Sequence, residues 1–152
     1  MVCRRCSAAR RADDSSIDAS PRHESELRKP RPHGGVLAWF EGLSSDRMFV
    51  PAVVLAELQT GIELTRRQDP DKAAELTRWV DQIEATYQVL PMDGRCFREY
   101  ARLVHGQTNT LAEDAMIAAT AHLHGLTVAT RNERDFAHFS VVVFNPFKYR
   151  LP

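Results

Sequence analysis

Leu111-Ala112-Glu113-Asp114-Ala115-Met116-Ile117-Ala118-Ala119-Thr120-Ala121-His122-Leu123-His124-Gly125-Leu126-Thr127-Val128-Ala129-Thr130 reads as one helix running into one strand. Asn109 or Thr110 can cap the helix start, because a short polar side chain there accepts from the orphan N–H groups of the first turn. Gly125 takes the C′ position, where the chain turns left-handed to leave a helix. Between Ala115 and Ala121 the helix is almost uninterruptedly small and apolar, the mark of a helix that is mostly buried. The apolar run from Leu126 to Thr130 then enters as a strand. A buried helix leading into a buried strand is the repeating unit of a parallel α/β sheet.

The same alternation extends outward in both directions. Val36, Leu37, Trp39, Phe40 and Leu43 give a short amphipathic helix, and Met48-Phe49-Val50 a brief strand. Pro51 begins the turn into a helix from about Val53 to Arg67, whose apolar face is Val54, Leu55, Leu58 and Ile62. Asp69-Pro70-Asp71 punctuates, and Ala73, Leu76, Trp79, Val80 and Ile83 follow at helical spacing. Tyr87 to Leu90 is a strand, Asp93 caps a helix carrying Phe97, Tyr100, Ala101 and Val104, and Ser140 to Phe144 is the last strand. These units predict a three-layer α/β/α sandwich with a short parallel sheet. Functional sites in such sheets form at the carboxyl ends of the strands.

Bulk properties narrow the function. A chain of 152 residues is one domain with one core. Its formal net charge is zero, so it has no global basic footprint of the kind passive nucleic-acid binders show. No apolar run reaches the roughly 18 residues that span a bilayer, which argues against a membrane role. The basic start (Arg4, Arg5, Arg10, Arg11) has no apolar run after it and is not a secretory signal. Cys3, Cys6 and Cys96 have no framework spacing and suit a reducing cytoplasm. Cys3-Arg4-Arg5-Cys6 lacks the second pair a zinc site needs, and Cys96 reads as a packed thiol.

Residues 1–35 form a separate, loop-like segment ahead of a domain at 36–152. Asp13-Asp14-Ser15-Ser16 and Pro30-Arg31-Pro32-His33-Gly34-Gly35 are turn and loop compositions, with a short helical turn around Glu24 to Arg28.

Three acids sit on recognisable frameworks: Glu57 in a helix that follows a strand, Asp114 at the mouth of the apolar helix, and Asp135 in the loop after Thr130. Each alone has a plain alternative, since an acid near a helix start is favoured by the helix dipole and an acid in a loop is simply solvated. Asp114 carries the most weight, because a carboxylate at the mouth of a buried helix needs a partner or a cation. Glu113 points about 100° away, toward solvent. Carboxylates gathered where strands end suit a hard divalent cation, and such a cation on a phosphate substrate points to phosphodiester chemistry. The histidines show no paired spacing and read as structural or solvated.

Four segments, Ser25-Glu26-Leu27-Arg28-Lys29-Pro30, Ala56-Glu57-Leu58-Gln59-Thr60-Gly61, Asp114-Ala115-Met116-Ile117-Ala118-Ala119-Thr120-Ala121 and Thr130-Arg131-Asn132-Glu133-Arg134-Asp135-Phe136, together resemble PIN-domain endoribonucleases of the VapC type, close to their FitB-like branch. The resemblance implies a toxin of a type II toxin–antitoxin pair, cutting RNA with Mg²⁺ or Mn²⁺, homodimeric and held by a cognate antitoxin. Carried across, Glu57, Asp114 and Asp135 match metal-site acids, and Asn132 and Thr130 match the polar residues that support them. The family begins with an apolar strand ending in Asp-Thr-Asn, and here the acid would fall near Ser20, followed by Pro21 and Arg22. Asp18 lies nearby, but the first strand is absent from the pattern. The bases encoding Pro21-Arg22-His23-Glu24 can read Leu-Asp-Thr-Asn when shifted by one, a hypothesis that sequencing the DNA for residues 1 to 30 would end if no shifted strand emerged. A chain lacking that acid is alternatively a catalytically impaired remnant that only binds antitoxin or dimerises. A third reading is an unrelated α/β binding domain. Helix Val53 to Ile62 and the helix after it are the expected dimer and partner surfaces, unless they are simply core.

Overall fold

The computed structural model describes residues 2–4, 33–43, 45–107 and 112–149, giving only the backbone course for 2–4. Ser25 to Pro30, the turn around Glu24 to Arg28, Asp18, Cys6 and the capping residues Asn109 and Thr110 lie outside the described residues. The elements in chain order are β1 (Val2–Arg4), α1 (Gly34–Glu41), β2 (Met48–Pro51), α2 (Ala52–Arg66), α3 (Pro70–Thr86), β3 (Gln88–Leu90), α4 (Gly94–Val104), α5 (Ala112–His124), β4 (Leu126–Ala129), α6 (Glu133–Phe136) and β5 (Val142–Phe144). Short 3-10 turns stand at Ser45–Arg47 and Pro146–Lys148.

Every residue of β2 and of β4 is buried, as interior strands of a covered sheet must be. The five strands run in the order β3-β2-β1-β4-β5. β2 pairs with β3 and β4 with β5 in parallel, while β1 pairs antiparallel with both β2 and β4. All four strands other than β1 therefore point the same way, and their carboxyl ends share one edge. Helices α2 and α5 pack on β2 and β4, α3 reaches β3, and α6 reaches β5, giving the expected α/β/α layers.

Within the segment expected to be loop-like, Val2–Arg4 forms a strand that fills the central slot of the sheet in reversed direction, while the first strand ending in an acid that the resemblance implies is not found among the described residues. The slot needs backbone donors and acceptors to satisfy the ladder groups of β2 and β4, and three residues supply them without the long apolar run by which a buried strand is read in sequence. Direction is what this strand changes. Val2 lies opposite Phe49 and Val128, and Arg4 lies opposite Leu126, so the carboxyl end of β1 sits at the amino edge of its neighbours. No acid ending β1 can reach the edge where the other four strands end.

The core gathers Val50, Val54, Ala115, Ala118, Val128 and Ala129, all fully buried, with Trp39 of α1 placing its ring 5.7 Å from that of Phe144. Burying one such aliphatic side chain contributes about 1.5–3 kcal/mol. Ile62, Ala73 and Val80 join α2 to α3, with Leu55 and Leu58 against them, so the apolar face of α2 packs within the chain itself. The helix limits follow the expected chemistry. The Asp93 carboxylate accepts from the N–H groups of Arg95 and Cys96 at 2.9 Å each, and Gly125 takes φ +62° after α5. Those N–H bonds, Cys96 foremost, hold the Asp93 carboxyl below its usual range. Cys96 is the packed thiol expected, and burial pushes it up.

Candidate active site

β4 delivers the chain to Thr130 at the carboxyl edge of the sheet, where its side chain is 1% exposed. The Thr130 N–H donates to the Phe144 carbonyl at 2.8 Å, carrying the β4–β5 ladder one residue past the strand. Its hydroxyl oxygen accepts the Asn132 N–H at 3.0 Å, a side-chain turn that fixes the backbone where the chain bends into α6. Asn132 stands ahead of the first residue of that helix but caps no N–H there; its amide instead donates to Asp135 Oδ2. Three of the expected site residues are thus joined in series, from a buried threonine through an asparagine to a half-buried carboxylate.

Asp114 is half-buried in the first turn of α5, next to Ala115, which is fully buried, while Glu113 is exposed as its angle predicted. The partial positive charge of the helix start favours an anion there. α5 packs against both α6 and α2, so the helices carrying Asp114, Asp135 and Glu57 are contiguous. Glu57 is half-buried in the second turn of α2. The structure does not gather all three carboxylates into a cage: among the described residues no three Asp, Glu, His or Cys side chains come together to hold one ion.

That arrangement fits a hard cation in the kind of donor and partly in number. The donors are all oxygens, partly withdrawn from water and set at helix and strand ends. Mg²⁺ keeps several waters and takes only one or two protein carboxylates, so it does not require a closed cage.

Two further acids that the sequence did not mark tie elements of the fold together. Glu133 of α6 accepts from the Asn145 amide at 2.6 Å and pairs with Lys148 Nζ at 2.6 Å, and these partners, Asn145 first, hold its carboxyl below the usual range. Asn145 Oδ1 in turn accepts the Phe147 N–H at 3.0 Å, so the carboxy-terminal turn is tied to α6. Glu99 of α4 is 7% exposed and lies 2.8 Å from both Arg102 Nη1 and His122 Nδ1 of α5. Only the spacing to Arg102 was visible in the chain; the bond to His122 joins two helices and has no local signal. The structural reading of the histidines holds for His122.

Two predictions arise here. Thr130→Val keeps the shape but leaves the Asn132 N–H without its acceptor, and should cost about 1–3 kcal/mol in denaturant unfolding. Arg102, and next His122, hold the Glu99 carboxyl below its ordinary 4.5. A depressed folded value means that this stabilisation is present above pH 4.5 and is lost as pH falls through the folded value. The melting temperature of Glu99→Gln should therefore fall less than that of the parent chain below that pH.

Comparison with known proteins adds the family context. The family model described as PIN domain matches residues 25–142. Toxin FitB of Neisseria gonorrhoeae is 33% identical over 130 residues, covering 81% of this chain and 92% of that protein. The VapC ribonuclease Y4jK of Sinorhizobium fredii is 30% identical over 135 residues, covering 82% of this chain and 92% of that protein. The crystal structure of FitAcB from Neisseria gonorrhoeae superposes with a TM-score of 0.76 at 33% identity, covering 88% of this chain and 99% of that one. A structure of FitAB bound to an IR36 DNA fragment superposes equally well, at a TM-score of 0.76 and 30% identity.

Proposed function

The chain belongs to the PIN-domain family, and on that premise we propose that it is a divalent-metal-dependent endoribonuclease toxin of a type II toxin–antitoxin pair. The observation that carries this reading is the Thr130–Asn132–Asp135 series at the carboxyl edge of the sheet, beside the helix whose first turn holds Asp114. Relatives bearing the names toxin and VapC ribonuclease support the activity, and the FitAcB and FitAB complexes support a cognate antitoxin partner. A homodimer and a cytoplasmic location complete the proposal. No helix among the described residues is long and apolar enough to cross a membrane.

Asp114 and Asp135 would hold Mg²⁺ or Mn²⁺, with Glu57 beside them. The bound ion would supply Lewis-acid activation of water and shielding of charge on the phosphate. The chain's own residues set the geometry. Thr130 is fixed by burial and by β5, and it holds the Asn132 backbone. The Asn132 amide engages one oxygen of Asp135, which leaves the carboxylate a single orientation in which to offer the other. The start of α5 lowers the cost of concentrating negative charge at Asp114. No side-chain nucleophile is needed.

A second reading has its own observation: β1 runs against its neighbours, and its end, Arg4, lies at the opposite edge from the acids. A site short of one acid gives a catalytically impaired remnant that still binds antitoxin. RNA cleavage by the purified chain in Mg²⁺ or Mn²⁺, with and without chelator, separates the two. Cleavage abolished by chelator supports the nuclease; antitoxin binding by a folded chain that leaves RNA intact supports the remnant and removes the nuclease reading.

A further inference from the structure

The outer face of α4 carries charge that the acids do not explain. Arg95, Arg98 and Arg102 stand three and four positions apart, which sets them in one row along the helix. Ala101 comes next around that face, and beyond it Phe97, which is 49% exposed. Arg95, Arg98 and Ala101 are exposed as well, and the Arg102 side chain is 63% exposed. Among the described residues the side chains of Arg98 and Phe97 make no ion pair, hydrogen bond or ring contact, so a guanidinium and an aromatic ring stand in solvent as neighbours.

The row is not cancelled by its own helix. Glu99 is the one acid of α4, and its two oxygens meet Arg102 and, across the helix interface, His122. Asp93, just ahead of the helix, accepts from the N–H groups of Arg95 and Cys96. α4 therefore sets three exposed arginines against one buried glutamate. The row also has a direction. Asp93, Arg95 and Cys96 at the start of α4 line one small cleft with Leu123 and His124 at the end of α5, so the two helices run antiparallel. From the Glu99–His122 contact, Asp114 lies eight residues back along α5, about 12 Å at roughly 1.5 Å per residue, and Arg102 lies three residues on along α4, about 4.5 Å the same way. The arginines thus lead toward the end of α5 that carries Asp114.

We propose that this face of α4 binds the phosphate backbone of single-stranded RNA through Arg95, Arg98 and Arg102, with Phe97 as the platform on which a neighbouring base stacks. The proposal rests on the nuclease reading above and names the surface that holds the substrate strand away from the acids. A chain of zero net charge cannot attract RNA by its overall field, so the attraction must be local. Arg95 and Arg102 are about 10 Å apart along the helix, and a stacked strand carries a phosphate roughly every 3.4 Å. Three cations over that length match a run of phosphates. A cationic track edged by an aromatic ring is how single strands are held without regard to sequence.

The test is fluorescence anisotropy with a fluorescein-labelled, mixed-sequence single-stranded RNA, in chelator so that nothing is cut. The double variant Arg95→Ala/Arg98→Ala should bind about tenfold or more weakly, and its plot of log affinity against log salt should be shallower by about 1.4, at roughly 0.7 for each phosphate no longer neutralised. Arg98→Lys, which keeps the charge, should keep the slope. Phe97→Ala should weaken binding about fivefold or more with the slope unchanged, the mark of a lost stacking contact. These positions are exposed, so the circular dichroism should not change. If the parent chain binds and cuts RNA while every variant matches it, the α4 face is not the track and the nuclease reading stands. If the variants keep RNA but lose antitoxin or sediment as a different oligomer, the face belongs to a protein partner and the proposal falls. A parent chain that neither binds nor cuts RNA overturns both.

Discussion

Asp114→Asn should lower RNA cleavage more than about a hundredfold while leaving the circular dichroism spectrum unchanged. The substitution keeps the size and shape of the side chain and removes its charge. Outer partners of a metal site alone are worth about 10–100-fold, so a residue that touches the ion should exceed that. The position is also the one least explained by solvation, since it opens a helix in which Ala115 and every residue from Ile117 to Ala121 are buried. A second readout does not depend on turnover. An ion that binds only the folded chain raises its melting temperature by mass action. Mg²⁺ or Mn²⁺ should therefore stabilise the parent chain and have little effect on Asp114→Asn. Equal stabilisation of both would move the ion away from α5, and undiminished cleavage would remove Asp114 from the site.

What the sequence disclosed follows from which interactions are local. The helix from Ala112 to His124, its closing Gly125 and the Asp93 cap are written in consecutive residues, and each stands within a residue or two of its expected place. Thr130, Asn132 and Asp135 lie within six positions, so their serial bonding is a local event as well. Glu99 with His122, and His33 with Phe147, are contacts between distant segments that no periodicity announces. The central strand was missed for a different reason. Burial in sequence is read from apolar side chains, whereas the slot between β2 and β4 is filled by main-chain groups that every residue except proline possesses. Its reversed direction could not be read either, because direction is set by pairing and not by composition.

Cys3→Pro should lower the melting temperature by roughly 10 °C, as follows from a loss of about 3 kcal/mol in a domain of this size. In a strand flanked on both sides, successive N–H groups point alternately to one neighbour and the other, so the middle residue of β1 has a ladder bond to lose whichever way it faces. Proline has no N–H, and in sheets it is confined to edges, strand starts and bulges. Cys3 is none of these: it lies opposite Met48 on one side and Thr127 on the other. Against a total stability of roughly 5–15 kcal/mol such a loss is large. An unchanged melting temperature would mean that β2 and β4 are held together without Val2–Arg4. The predicted fall would mean that the chain completes its sheet with a reversed strand, keeping the fold while the end of β1 stands at the opposite edge from Thr130.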